Sequence, residues 1–397
     1  MKETLQLLDE KSLNFRLDRI LAGMSGDGAS SLLISSNTNK FYFTGRIFDG
    51  WILISAATRS VHYFVRRQSE LSGPNVHKVR KPEDIAGLLA QEGIDLGDCV
   101  ALELDETPYS MVTRLCKALS VSNIGNANKI LMAARSVKAE DEVDKIKACA
   151  VKHDRIYRRI PHLYREGMSD IELQIEIERE TRLEGALGIM RVTGSDMEIN
   201  MGSVLVGENA DTPSPYDFAL GGAGASPALP IGADGTIIRR DRAVMVDTNG
   251  DFNGYMTDMT RTFIVDDQIS DEARRAHQLS VAICRKMEAE ARPGVPCADL
   301  YNIAVKMATE AGLADKFMGS TRQAGFIGHG VGITINELPV LAPRSKSVLE
   351  ENNIIAIEPK FVIEHVGAVG IENTYRVTAN GLECLTNTPE DLISLED

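Results

Sequence analysis

The sequence predicts an α+β protein of two domains, a smaller α/β domain over residues 1–134 and a larger α+β domain over residues 135–397. Three observations carry this. Short β-rich runs alternate with amphipathic stretches in the first third of the chain. A charged segment follows, and the remainder repeats one rhythm twice.

In the first domain "SSLLISS", "WILISAA", "HYFVRR" and "CVALEL" read as strands because they are rich in β-branched and aromatic residues. "RLDRILAGM", "PEDIAGLLAQEG" and "PYSMVTRLCKALS" read as helices from the spacing of their apolar residues. "RSVKAEDEVDKIKACAVKHDRIYRRI" begins polar and acidic and then becomes helical, so it reads as a linker running into the first helix of the second domain. A helix pair ends near "SDIELQIEIERETRLEGA", where Ser169 and Glu172 make an S-x-x-E capping box, and strands then run to Phe263. A second pair, "SDEARRAHQLSVAICRKMEAEARPG" and "CADLYNIAVKMATEAGLADKF", is again followed by strands, ending in "GAVGIENTYRVT". Helix, helix, strands, twice over, predicts internal pseudo-two-fold symmetry with a site between the halves.

A chain of 397 residues, 43% hydrophobic and 25% charged, is long enough to bury two cores. Its formal charge of −14 argues against nucleic acid and anionic membranes as partners, since both call for a basic surface. Small molecules, peptides or a second copy of the chain suit it better. The six cysteines are scattered, without a CxxC pair, and read as reduced thiols. No apolar run approaches the ~18 residues of a spanning helix and the N-terminus lacks a signal-like core, so a cytoplasmic location is expected.

The stretch "VDTNGDFNGYMTD" almost spells an EF-hand calcium loop, with Asp247, Asn249, Asp251 and Asp258 at ligand positions. Phe252 stands where the turn glycine belongs, however, and the flanks "RAVMV" and "TRTFIV" are strand-like. Two strands around a turn are therefore expected, with Asp251 capping the turn, and Asp247 and Asp258 need another role. Farther on lie "GHGVG" around His329, "AIEPKF" around Glu358 and "GIENTYRVT" around Glu372. Glu358 ends the apolar run "IIAIE", where a carboxylate costs several kcal/mol unless paired or bound to a cation. Four carboxylates and one imidazole are what two divalent cations ~3.5–4 Å apart require.

These five positions, in this order, resemble the pita-bread metallopeptidases: aminopeptidase P, prolidase, methionine aminopeptidase and their metal-free relative creatinase. Two aspartates eleven apart on a hairpin match Asp247 and Asp258, the G-H-G-x-G histidine matches His329, the I-E-P glutamate matches Glu358, and the last acidic ligand matches Glu372. The surround "GYMTDMTRTF", with Tyr255 and Arg261 as scaffold, and the linker segment resemble the prolidase and aminopeptidase P subgroup, which carries a creatinase-like N-terminal domain. The resemblance implies a pita-bread catalytic domain, a homodimer and two divalent ions, manganese first, with cobalt, zinc or iron as alternatives. It implies that Asp258 and Glu372 bridge the ions, that Asp247 completes one, and that His329 with Glu358 completes the other. A metal-bridged hydroxide would cleave the N-terminal Xaa-Pro bond of a short peptide, with Glu358 as base and then acid.

Three positions depart from the peptidases. Asn336 replaces the histidine of H-E-x-P, Ile231 replaces a histidine of an "ALPH"-like segment with a one-residue shift, and Gly370 replaces an arginine two residues before Glu372. Asn336 can still donate a hydrogen bond to substrate but cannot carry a proton. Losing one transition-state donor costs about 10²–10³ in rate. Candidate replacements are Lys360, where the family has glycine, and the loop "GENADTPSPYDFALGGAG", which offers Tyr216 and Asp217; the plain reading of Lys360 is an ion-paired lysine. The remaining histidines, His62, His77, His153, His162, His277 and His365, read as helical or surface residues without partners. An alternative function keeps the fold and metals but changes the chemistry to a small non-peptide substrate, as the three replacements favour. A non-catalytic binding protein is disfavoured, because clustered buried carboxylates repel one another without cations.

Overall fold

A computed structural model describes residues 8–67, 69–194, 197–266 and 268–396. It divides into two units, Met1–Arg135 and Ser136–Asp397.

The first unit is built on strands β1 (Ser31–Ile34), β2 (Gly50–Ser55), β3 (Val61–Val65), β4 (Val76–Lys78), β5 (Val100–Leu102) and β6 (Ile124–Asn126). They form one mixed sheet in the order β4-β3-β2-β1-β5-β6. Helices α1 (Glu10–Asp27), α2 (Asn37–Thr44), α3 (Glu83–Glu92), α4 (Tyr109–Leu119) and α5 (Ala127–Ser136) accompany it. β2 is buried along its whole length, which is why "WILIS" shows no alternation. Leu33, Leu53, Phe64 and Leu102 of the sheet pack against Ile85 and Leu89 of α3 and Leu115 of α4. Helix α2 has no amphipathic signature in "NTNKFYFT"; its ends are fixed by Ser36, which caps the Asn39 amide, and by left-handed Gly45. The buried Glu103 carboxylate also accepts hydrogen bonds from the Ser36 amide (2.7 Å), the Ser36 hydroxyl (2.6 Å) and Asn39 Nδ2 (2.5 Å) at that helix's N-terminus.

The second unit opens with α6 (Glu140–Arg159) and α7 (Asp170–Leu183) and continues with β7 (Gly202–Val206), β8 (Val244–Asp251) and β9 (Met256–Ile264). Then come α8 (Asp271–Glu290), α9 (Cys297–Glu310), β10 (Gly328–Gly330), β11 (Glu337–Val340), β12 (Ile354–Ile357) and β13 (Lys360–Ile363). The unit ends with β14 (Gly367–Gly370), β15 (Asn373–Thr378), β16 (Gly381–Cys384) and β17 (Ile393–Ser394). Acidic residues fill the first turn of α6 and Arg158 and Arg159 its last turn, as the helix dipole favours. The capping box of α7 is present, Ser169 Oγ accepting from the Glu172 amide and Glu172 from the Ser169 amide.

One sheet runs β17-β9-β8-β7, a second β11-β10-β12-β15-β16, and β13 pairs with β14. Helices α6 and α7 cover the first through Ile156, Tyr157, Leu173 and Ile177 against Val204, Val246, Met259 and Phe263. Helices α8 and α9 cover the remaining strands through Ile283, Met287, Leu300 and Ala304 against Ile355, Phe361, Val369 and Tyr375. Among the described residues no helix is long and apolar enough to cross a membrane.

Candidate metal centre

The near-EF-hand stretch is a β-hairpin. β8 and β9 pair antiparallel from Val244↔Phe263 to Asp251↔Met256, and the Gly254 amide donates to Asp251 Oδ1 at 2.8 Å, so Asp251 closes the turn. Asn249 lies opposite Asp258 and Asp247 opposite Thr260. Because facing residues share a side of the ladder and alternate residues recur on it, Asp247 and Asp258 project from the same face as diagonal neighbours. Thr374 Oγ1 accepts from the Asp258 amide and donates to the Asp258 carbonyl, each at 2.8 Å, fixing that strand.

The two glutamates are placed by one long ladder with a break in it. β12 pairs with β15, ending at Ile357↔Asn373, and β13 pairs with β14, beginning at Lys360↔Gly370. Glu358 and Glu372 fall in the gap between these two stretches, and a bridge from Thr260 to Glu372 ties the gap to the hairpin. Arg261, wholly buried, holds the junction by donating to the Glu372 carbonyl (2.8 Å), Asn373 Oδ1 (2.7 Å) and the Thr388 carbonyl (2.8 Å). His329 sits in β10 between β11 and β12. Its flanking glycines are required by close approach: a Cβ at Gly328 would lie 2.2 Å from the Ala356 carbonyl, and one at Gly330 2.1 Å from the Leu338 carbonyl.

The five side chains expected from the sequence therefore converge. His329 Nε2 lies 3.5 Å from Glu358 Oε1 and 3.8 Å from Asp258 Oδ2. Asp258, His329 and Glu372 form one group able to share an ion, and Asp247, Glu358 and Glu372 form another. Thr260 Oγ1 orients Glu372 by donating to its Oε2 at 2.7 Å. The second group already encloses a cation, since Lys360 Nζ lies 2.8 Å from Asp247 Oδ2, 2.7 Å from Glu358 Oε2 and 3.3 Å from Glu372 Oε2.

Electrostatics sharpen the contrast. Burial alone would lower the Lys360 pKa, but Asp247, Glu358 and Glu372 outweigh it and hold the ammonium charged. Burial, then repulsion from Glu372, Asp247 and Glu358, raises Asp258 well above the usual carboxylate range. Burial likewise raises Glu358, against the pull of Lys360, and lifts Glu372 to about 8. Burial keeps the His329 imidazole neutral, the form that ligates metals. Glu358 Oε1 and Glu372 Oε1 are buried without a hydrogen-bond partner among the described residues. Orphaned oxygens beside a neutral imidazole and a strongly proton-seeking aspartate fit a divalent ion held by Asp258, His329, Glu358 and Glu372.

The cluster lines a small cleft together with Met190, Val192, Phe218, Phe326 and Ile335. Asn336 lines it, but its amide is occupied by Thr193: Oδ1 accepts from the Thr193 amide at 2.6 Å and Nδ2 donates to the Thr193 carbonyl at 3.1 Å. Its first role is to hold the cleft wall. Asp217 also lines the cleft, whereas Tyr216 faces an adjoining depression with Arg322 and Gln323. Lys360, a candidate for substrate whose plain reading is an ion-paired lysine, is fully buried and turned to the three carboxylates. Ile231 is buried outside the lining of the cleft. Tyr255 donates to Glu142 at 3.1 Å, in keeping with a scaffold role.

The reading of the other histidines needs correction. His62, His77, His153 and His277 are buried and partnered. His62 and His77 stack on each other and face Glu92 across 3.6 and 3.3 Å, because strand alternation turns both inward. His153 is hydrogen-bonded to Thr257 (3.0 Å) and Thr248 (3.2 Å) behind the hairpin.

A carboxylate–imidazole cluster at the junction of two largely antiparallel sheets, each covered by a helix pair, defines a metal-dependent hydrolase scaffold. Residues 144–379 match metallopeptidase family M24 and residues 16–137 match the creatinase/prolidase N-terminal domain. The chain belongs to family M24, and its class is metallo-exopeptidase. Its fold is the α+β pita-bread fold preceded by a creatinase-like domain. It is 25% identical over 389 residues to an Xaa-Pro dipeptidase of Pyrococcus horikoshii, covering 96% of this chain and 99% of that one. It is 28% identical over 297 residues to the putative dipeptidase YkvY of Bacillus subtilis, 75% of this chain and 73% of that one. Among solved structures, an Xaa-Pro dipeptidase from Bacillus anthracis superposes with a TM-score of 0.78 at 22% identity, over 96% of this chain and 99% of the other. The prolidase of P. horikoshii superposes at 0.76 and 22% identity, over 95% and 99%. Divalent metal ions go with this family.

Proposed function

We propose that this chain is a metal-dependent exopeptidase that hydrolyses the Xaa-Pro bond of short peptides, with residues 135–397 carrying the chemistry. The observation that carries the reading is the convergence of Asp258, His329, Glu358 and Glu372 at the floor of an apolar-walled cleft. A cleft of this composition suits the proline ring beside a polarised amide. Two relatives bearing the name Xaa-Pro dipeptidase, matched over nearly their whole lengths, support the substrate class.

A divalent ion bound there, manganese being the first to test, would supply Lewis-acid polarisation of the carbonyl and an activated water. The chain's own residues divide the remaining work. Glu358 handles the proton, as a carboxylate at the cleft beside the bound ion can. Lys360 and Thr260 hold Glu358 and Glu372 in place. Asn336 braces the wall through Thr193, and Asp217 stands in the cleft for a cationic substrate group.

A second reading, the same scaffold turned to a small non-peptide substrate, is favoured by the occupied amide of Asn336 and by Ile231 lying outside the cleft lining. Mass-spectrometric cleavage of Xaa-Pro dipeptides, Xaa-Pro tripeptides and non-proline controls by manganese-loaded protein and by Asp258→Ala separates the two. Cleavage of Xaa-Pro bonds by the native chain alone supports the first reading, and the best length distinguishes dipeptidase from aminopeptidase. Metal binding without any cleavage turns the case to the second.

A further inference from the structure

We propose that the Lys360 ammonium permanently takes the place of one of the two metal ions, so that this protein works with a single divalent ion held by Asp258, His329, Glu358 and Glu372. The inference rests on the family reading for where ions bind and on the geometry for how many fit.

Two carboxylate groups share Glu372. Around Asp247, Glu358 and Glu372 the Lys360 nitrogen lies within 2.7–3.3 Å of one oxygen from each, a cation's position at the centre of an oxygen cage. Lys360 has no exposed surface, so the ammonium has no solvent to retreat into. A second divalent ion would have to expel a buried charge from three carboxylates, or sit beside it under like-charge repulsion, which is strong in a dry interior.

The backbone prepares this arrangement. Lys360, two residues after Glu358, opens β13, pairs directly with Gly370 and reaches back to Glu358 Oε2 at 2.7 Å. A Cβ at 370 would lie 2.6 Å from the Pro359 carbonyl and 3.1 Å from Lys360 Cα, so the close backbone approach at this rung requires a glycine. Gly370 also has a φ of 145°, which disfavours other residues there. Lys360 and Gly370 thus face each other across the strand pair, and the lysine carries its positive charge into the ligand cage.

The remaining ligands keep their capacity for an ion. Among the described residues Glu358 Oε1 and Glu372 Oε1 are buried with no hydrogen-bond partner, and His329 Nε2 faces Glu358 Oε1 and Asp258 Oδ2. An ion on this side meets an imidazole and three carboxylates, a donor set sufficient alone for a mononuclear hydrolytic site.

The test is a count of bound Mn²⁺ on the full chain, by calorimetric titration and by metal analysis after dialysis, with electron paramagnetic resonance reporting whether ions couple. The native chain is expected to bind one ion with an uncoupled spectrum, and Asp247→Asn to bind one ion still. His329→Ala is expected to bind none, and Lys360→Gly to gain a second, spin-coupled ion. Two ions per native chain, loss of the ion in Asp247→Asn, or no binding by the native chain would overturn the proposal. Because the native and Asp247→Asn counts suffice, a Lys360 variant that does not fold leaves the test intact. No peptide is present, so one bound ion with no Xaa-Pro cleavage would sink the substrate reading and leave this inference standing.

Discussion

The two sides of the carboxylate cluster share Glu372 yet are neutralised by different means. On one side Asp247, Glu358 and Glu372 close around the Lys360 ammonium at hydrogen-bond distance, and the chain itself supplies the positive charge. On the other, Asp258 and His329 stand 3.8 Å apart and Glu358 Oε1 has no hydrogen-bond partner among the described residues, so charge must come from outside. The difference teaches that a ligand set can keep all its residues and still lose half its capacity, through one side chain two residues away.

The comparison breaks most completely at Glu358, the residue that spans both sides, with Oε2 on Lys360 and Oε1 toward His329. Glu358→Gln should lower kcat/KM on an Xaa-Pro peptide by about 10²–10⁴-fold while the protein stays folded, in steady-state assays with added Mn²⁺. Arg261 supports both sides from behind by holding the Glu372 carbonyl and Asn373. Arg261→Met leaves several buried acceptors unpaired and should cost about 3–5 kcal/mol in urea unfolding. Thr260→Val sharpens the contrast, because it removes the 2.7 Å hydrogen bond to Glu372 without touching Lys360. Mn²⁺ affinity should fall about 10–100-fold by titration.

The smallest effect lies behind the hairpin, at His153. Burial, then the Arg261 charge, lowers its pKa from 6.5 to about 3. Between those values the unfolded chain binds a proton that the folded chain refuses, so this contribution to stability is present above pH 6.5 and is lost as the pH falls toward 3. It amounts to about 1.4 kcal/mol per pH unit within the window. Urea melts at pH 7, 6 and 5 should show a steeper decline for the native protein than for His153→Gln. Equal slopes would contradict the assignment.

Much of the centre was legible because its geometry is local. The spacing of Asp247 and Asp258 on a strand-like hairpin, the glycines around His329 and a glutamate ending an apolar strand each follow from short-range backbone rules. The helices with caps and clear periods, α1, α3, α4 and α7, were equally readable, whereas α2 is too short to show a period and is held by Glu103, distant in sequence. The inward histidines were misread because His62 and His77 alternate inward on strands, and His153 lies on the buried face of α6.

Lys360 and Gly370 were noticed separately, as a gain and a loss. Only the register β13–β14 shows that they face each other, since cross-strand pairing is not encoded in sequence distance. The engagement of Asn336 by Thr193 depends on a contact 143 positions away, which no local pattern carries.

The account turns on what occupies the cage of Asp247, Glu358 and Glu372. A crystal structure of the native protein soaked in Mn²⁺, with an anomalous difference map, tests this most directly. The account predicts one peak, among Asp258, His329, Glu358 and Glu372, with Lys360 Nζ still against its three carboxylates. A second peak at the Lys360 position, with the side chain displaced, would contradict it.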